Sequence, residues 1–264
     1  MRQRLGQHFL KNKGVLRRIA LAMEIERNDI VVEIGSGHGE LTEYLLKENP
    51  KKVIAIEKDK SLALLLPSSI SRRAPEVAHK LEIIEGDALK ILLTLNFKYK
   101  LAGNIPYYLT GRLLRLLSEL EDKPELIVLT LQKEVALRII AQPPKMNLLA
   151  AIVQFWANPR ILGSIKRTSF YPTPKVDSAI LKLASKTKKE MSGLPPAGEY
   201  YKIVKILFKQ PRKTILNNLA EGLKEKRLAV EERFKTIAAS LSLRPQKLTK
   251  EKLVEISRVF FTTK

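Results

Sequence analysis

The chain contains no cysteine, so disulfides, thiolate nucleophiles and cysteine-bound metals are excluded outright. Histidine is scarce: His8, His38 and His79 are scattered, with no spacing that suits a metal, and none is expected. No apolar run reaches the roughly 18 residues that a membrane span requires. Met1 leads into basic and polar residues rather than into a secretory signal. The expectation is a cytoplasmic protein. Acids are also in short supply, with 27 Asp and Glu against 48 Lys and Arg, a formal net charge of +21. An excess of that size fits a polyanion, and nucleic acid first.

With 264 residues, 45% of them apolar, the chain can form one large domain and a small one. The positive charge is concentrated. Residues 1–18 carry six Lys or Arg and no acid. Residues 186–264 carry 19 Lys or Arg against 8 Glu, a net of +11. The middle holds most of the acids, as suits a cationic small ligand. Abundant Lys and Glu without Cys hint at a thermophilic source.

From about residue 15 to 185, short apolar runs alternate with amphipathic ones. Val15–Met23 reads as a helix. Ile30–Ile34 reads as a buried strand, and Gly35-Ser36-Gly37-His38-Gly39 leads into a helix over 40–47. Lys52–Glu57, Leu81–Asp87, Tyr99–Gly103 and Leu126–Leu131 read as further strands. This alternation implies an α/β fold, a parallel sheet covered on both faces. After a helix near 147–157, extended runs near 160–168 and 178–183 are expected to form an antiparallel hairpin at the sheet edge. Residues 186–198, rich in Lys, Ser, Gly and Pro, read as a linker. Tyr200–Phe208, Pro211–Leu223, Val230–Leu241 and Thr249–Phe260 then read as helices, with Thr249 as an N-cap. The expected division is 1–185, linker 186–198, and a basic helical RNA-binding domain over 199–264.

Gly35, Gly37 and Gly39 lie between a strand and a helix, where glycines permit a tight turn and close approach of a ligand to the helix N-terminus. Glu57 closes the next strand, where an acid takes ribose hydroxyls. Asp87 closes the third, where a carboxylate can accept from an adenine amine. Taken singly, Glu57 reads as a salt bridge and Asp87 as a helix cap. Together they describe an adenosine-containing cofactor. A dinucleotide calls for Gly-x-Gly-x-x-Gly, and Glu40 occupies the last glycine position. Glu33, just before the loop, suits a cationic, amino-acid-bearing ligand better than a pyrophosphate. S-adenosylmethionine meets both conditions.

Asn104-Ile105-Pro106-Tyr107-Tyr108 ends the fourth strand. The Asn104 side chain can accept from an exocyclic amine. A turn fixed by Pro106 leaves the Ile105 carbonyl free to accept a second bond. Tyr107 and Tyr108 offer flat faces for a base.

The stretches Gly6–Leu10, Val32–Gly37, Ile56-Glu57, Gly86-Asp87-Ala88, Asn104–Tyr107, Gln132–Ala136 and Phe170–Ala179 occur in that order, with Arg212-Lys213-Thr214 and Arg244-Pro245 in the tail. In these the chain resembles the small-subunit ribosomal RNA adenine dimethyltransferases over nearly its whole length. The resemblance implies a Rossmann-like class I methyltransferase fold with a seven-stranded, mostly parallel sheet and a small all-α domain. It implies transfer of two methyl groups from S-adenosylmethionine to the N6 amine of each of two adjacent adenosines near the 3′ end of small-subunit rRNA, in an assembling subunit. The enzyme is expected to be a monomer, and the source thermophilic and archaeal.

Matching motif positions assign His8, Leu10, Glu33, Gly35, Gly37, Glu57, Asp87, Ala88 and Asn104 to the cofactor. Asn104, Ile105, Pro106, Tyr107 and Phe170 fall to the acceptor base, with Tyr107 stacking on one face and Phe170 on the other. Many members carry Asn where this chain has His8, whose ring nitrogen can still hydrogen-bond. The rivals are an erythromycin-resistance type large-subunit methylase, a non-catalytic assembly factor on the same fold, and a nicotinamide oxidoreductase. The Arg212-Lys213-Thr214 tail, the intact motifs and Glu40 respectively argue against them.

Overall fold

A computed structural model describes residues 7–237 and 241–261. Gly6, the start of the basic arm and residues 238–240 of an expected helix lie outside the described residues. The chain divides into two compact units, residues 1–136 with 159–185 and residues 137–158 with 186–264.

In the first unit, strands β1 (Phe9–Leu10), β2 (Ile30–Ile34), β3 (Lys52–Glu57), β4 (Leu81–Glu85), β5 (Lys100–Asn104), β6 (Leu126–Gln132), β8 (Phe170–Tyr171) and β9 (Ser178–Ser185) are joined by β7 (Ala157–Ile165), which begins at the boundary. Seven form one sheet in the order β4-β3-β2-β5-β6-β9-β7. The pairs β2–β3, β2–β5, β3–β4 and β5–β6 are parallel, and β9 is antiparallel to β6. Continuous apolar runs such as Ile30–Ile34 and Leu126–Leu131 are what strands covered on both faces require. The expected edge pair appears as neighbours β9 and β7. The ribbon β1–β8, which pairs Leu10 with Phe170 and Phe9 with Tyr171, was not foreseen, because two-residue strands carry no periodicity.

Three helices follow the strands that matter for the site: α1 (Lys13–Ala22), α2 (Glu40–Lys47) and α3 (Lys60–Arg73). Asn12 caps α1 and Asp59 caps α3, each accepting backbone N–H groups of the first turn. Beneath them lies a core of Val15, Ile19, Leu45, Val53, Ile70 and Val128. Strand order reverses at β2, with β3 on one side and β5 on the other. In an open α/β sheet such a switch point leaves a crevice at the carboxyl ends of the strands.

The second unit contains the apolar helix 148–156, where Ala150, Ala151, Val153, Phe155 and Trp156 are all buried. A helix apolar on several sides must be covered on several sides. Phe155 stacks on Tyr200 at 4.1 Å, and the Tyr200 hydroxyl donates to the Ala151 carbonyl at 3.1 Å. The expected division at 185 therefore needs correction: residues 137–158 pack with the helical tail. The tail itself has helices over Ala197–Leu207, Ile215–Leu223, Arg227–Arg233 and Lys250–Phe261. The expected start at Pro211 moves to Ile215, with Thr214 as the cap. The expected linker contains a short helix, Lys188–Met191, held by a Thr187–Glu190 capping box.

Candidate active site

The glycine loop after β2 is held by its backbone geometry. Gly35, Gly37 and Gly39 have φ of 71°, 57° and 83°. A Cβ on Gly39 would come within 2.5 Å of Leu66 Cδ1, and one on Gly37 within 2.9 Å of the Phe9 ring. The loop is tied to β3 through Glu57, whose Oε2 accepts from Gly37 N at 2.8 Å and whose Oε1 accepts from Asp59 N at 2.9 Å. Glu57 is 3% exposed and lines the crevice.

Asp87 is the helix cap that its position suggested, and it also holds an ion pair. Oδ1 caps the short helix α4 (Ala88–Ile91), accepting from Leu89 N at 3.0 Å, and Oδ2 pairs with Lys58 Nζ at 3.2 Å. Burial pushes the carboxyl up. The Leu89 N–H and the Lys58 ammonium, helped by Arg112, outweigh it and hold Asp87 below the usual carboxylate range. It is ionised at neutral pH and ready to accept.

Asn104 ends β5 in register with Thr130 of β6. Its Nδ2 donates to the His8 carbonyl at 2.8 Å, which fixes the amide orientation and leaves Oδ1 as an acceptor. His8 is itself anchored, Nδ1 donating to the Pro172 carbonyl at 2.7 Å. The Tyr107 ring lies 5.7 Å from the His8 ring, and its hydroxyl shares a 2.7 Å hydrogen bond with Ser178 Oγ. Burial raises the Tyr107 pKa above its ordinary value, keeping the phenol neutral.

One crevice in this unit is lined by His8, Gly35, Gly37, Glu57, Asp87, Ala88, Asn104, Ile105, Pro106, Tyr107 and Phe170, all expected at the site. Two expected residues lie behind it. Leu10 is 2% exposed and sits in the apolar core through its pairing with Phe170. Glu33 is 1% exposed and accepts from the Thr42 hydroxyl at 2.6 Å. Burial, with Glu57 and Glu40 adding to it against the Thr42 hydrogen bond, pushes the Glu33 carboxyl up to about 8. Glu33 thus lies behind the crevice wall, its carboxyl bound to the Thr42 hydroxyl. Phe170 reaches the crevice wall but is only 3% exposed, so little of its ring is open to a base. Lys58, Phe9 and Arg112 line the crevice without having been picked out from sequence. Lys58 directly follows Glu57, and Arg112 lies one helical turn after Tyr108; those spacings were the available signals.

A mostly parallel seven-stranded sheet, a glycine loop at its switch point, and acids closing the next two strands define a class I methyltransferase. The chain belongs to the ribosomal RNA adenine dimethylase family, whose model matches residues 1–258. It is 42% identical to a ribosomal RNA small subunit methyltransferase A from Dehalococcoides mccartyi over 84% of this chain and 75% of that one. It is 33% identical to the protein of the same name from Mycoplasma mycoides over 98% of this chain and 97% of that one. These curated relatives are bacterial, which corrects the archaeal expectation. The crystal structure of a dimethyladenosine transferase from Plasmodium falciparum superposes with a TM-score of 0.78 at 29% identity, covering 94% of this chain and 96% of that one. The 23S rRNA methyltransferase ErmE shares the fold, with a TM-score of 0.74 at 23% identity over 95% of this chain and 98% of that one.

Proposed function

We propose that this protein transfers methyl groups from S-adenosylmethionine to the N6 amines of two adjacent adenosines near the 3′ end of small-subunit rRNA, in the cytoplasm, as a monomer acting on an assembling subunit. The observation that carries this reading is the Asn104 amide, held by the His8 carbonyl so that Oδ1 is left to accept. The residues present fit the cofactor. Glycines leave backbone open beside the crevice, Glu57 offers acceptors for ribose hydroxyls, and Asp87 offers one for the adenine amine. Ala88 and the glycine-loop backbone complete the cofactor side. When bound, S-adenosylmethionine supplies a methyl group already activated by its sulfonium sulfur.

What remains for the protein is the amine. Its lone pair is delocalised into the purine ring, so it is a poor nucleophile. Asn104 Oδ1 and the Ile105 carbonyl accept its two N–H bonds, draw the nitrogen toward tetrahedral geometry and stabilise the charge that develops there. Bound S-adenosylmethionine would supply the methyl group to that nitrogen, and the surplus amine proton would leave to water. After one transfer a single N–H remains, so one acceptor suffices to orient the second. The base has to leave its stack to reach this depth. Tyr107, pinned through Ser178, offers it a fixed face, and the buried Phe170 forms part of the crevice wall. The net charge of +21 supplies phosphate contacts that give affinity without base selectivity.

The test is transfer of labelled methyl from S-adenosylmethionine to unmethylated small ribosomal subunits, with large subunits in parallel and the nucleoside identified by mass spectrometry. Dimethyladenosine in small-subunit rNA alone is the expected result. Label in large-subunit RNA would move the assignment to the resistance methylases, and cofactor binding without transfer would make the protein an assembly factor.

A further inference from the structure

Beside Tyr107 stands a second aromatic with no task in the scheme above. Tyr108 is 57% exposed, lines the mouth of the same crevice, and makes no hydrogen bond among the described residues. Both tyrosines belong to one 3₁₀ turn, Tyr107–Leu109, leading into α5 (Thr110–Glu119). Such a turn has three residues per revolution, so successive side chains diverge by about 120°. The two rings cannot sandwich one base. Tyr107 is committed to the crevice by its bond to Ser178, whereas Tyr108 presents its ring outward. Arg112, four residues further on, is also exposed and lines the crevice. It makes no ion pair or hydrogen bond among the described residues. What brings the two residues together is the crevice that both line.

An exposed ring and an exposed guanidinium lining one crevice, at the mouth of a pocket for a purine, fit a nucleotide and its phosphate. We propose that Tyr108 and Arg112 form a second subsite, which takes the nucleotide adjacent to the adenosine under modification. Tyr108 stacks on the neighbouring base, and Arg112 pairs with the phosphate between the two. This rests on the reading that the substrate is two adjacent adenosines. The subsite holds the second adenosine at the mouth while the first is inside, and so favours a pair over an isolated adenosine.

The experiment uses small subunits reconstituted on rRNA with a ligated synthetic 3′ end. One form carries both adenosines, and the other carries one adenosine beside an abasic site. The quantity read is the ratio of kcat/KM for methylation of the retained adenosine. The wild-type ratio is expected to be about tenfold in favour of the pair, the scale of one base stacked on an aromatic ring. In Tyr108→Ala it should fall to near unity, and Tyr108→Phe should restore it. Arg112→Gln should weaken both substrates alike. A Tyr108→Ala enzyme that keeps the ratio, or a wild type without one, overturns the subsite. A Tyr108→Ala enzyme that loses both substrates equally with its ratio intact would assign the ring to the target base instead. If the wild type methylates neither form, the functional reading itself fails before the subsite is in question.

Discussion

Glu33 is a carboxyl with almost no access to water, in contact with a hydroxyl and in the field of two other acids. Its folded pKa of about 8 lies above the ordinary 4.5. Between those values the unfolded chain has lost its proton while the native one retains it. Stability therefore falls as pH rises through that window and is level above it. Glu33→Gln keeps an acceptor for Thr42 but cannot ionise. Thermal denaturation across the window should show the wild type losing stability relative to Glu33→Gln; parallel curves would contradict the raised pKa. Asp87 allows a different separation. Asn is as good a helix cap as Asp, so Asp87→Asn should leave stability within about 1 kcal/mol while weakening cofactor binding about tenfold, since a charged acceptor is worth roughly 1.5–3 kcal/mol. Calorimetric titration with S-adenosylmethionine checks it. At this scale the sequence was informative wherever residue type and chemistry coincide, as at Glu57, Asp87 and Asn104. It did not separate Leu10 and Glu33 from the crevice lining, because a motif records neighbours in the chain and not which side chains the packing turns inward.

The elements that build the site were legible from periodicity. Ile30–Ile34 and Lys52–Glu57 match their observed strands, and the glycine run marks the turn into α2. Two-residue β1 and β8 escaped, since their pairing joins residues far apart in the chain. The glycine loop makes two demands at once, on backbone conformation and on space. At Gly39, a φ of 83° and a Cβ position 2.5 Å from Leu66 Cδ1 leave no room for a side chain. Gly39→Ala should destabilise the protein by roughly 1–3 kcal/mol through backbone strain and weaken cofactor binding by displacing the loop. Chemical denaturation and titration together check this; an alanine variant with wild-type stability would show that the loop tolerates the change.

For the whole molecule, composition pointed to the partner class and the family motifs to the chemistry, but the division of the chain was misjudged. A boundary read from a polar, Pro- and Gly-containing stretch identifies where the chain is exposed, not which helices share a core. Helix 148–156 has its Phe155 ring against Tyr200 of the tail. A fragment of residues 1–185 should therefore expose that apolar helix and aggregate, although it contains every residue assigned to the site. Light scattering of the purified fragment checks it; a monodisperse, cofactor-binding fragment would contradict the observed partition.

The account depends most on Asn104 as an oriented acceptor. The decisive measurement is the single-turnover methylation rate of Asn104→Ala on unmethylated small subunits, with cofactor saturating and RNA affinity measured alongside. A fall of at least about 100-fold, the usual cost of one lost transition-state acceptor or donor, with RNA affinity within about threefold of wild type, is the predicted result. A rate within about threefold of wild type would contradict amine activation by this residue and the mechanism built on it.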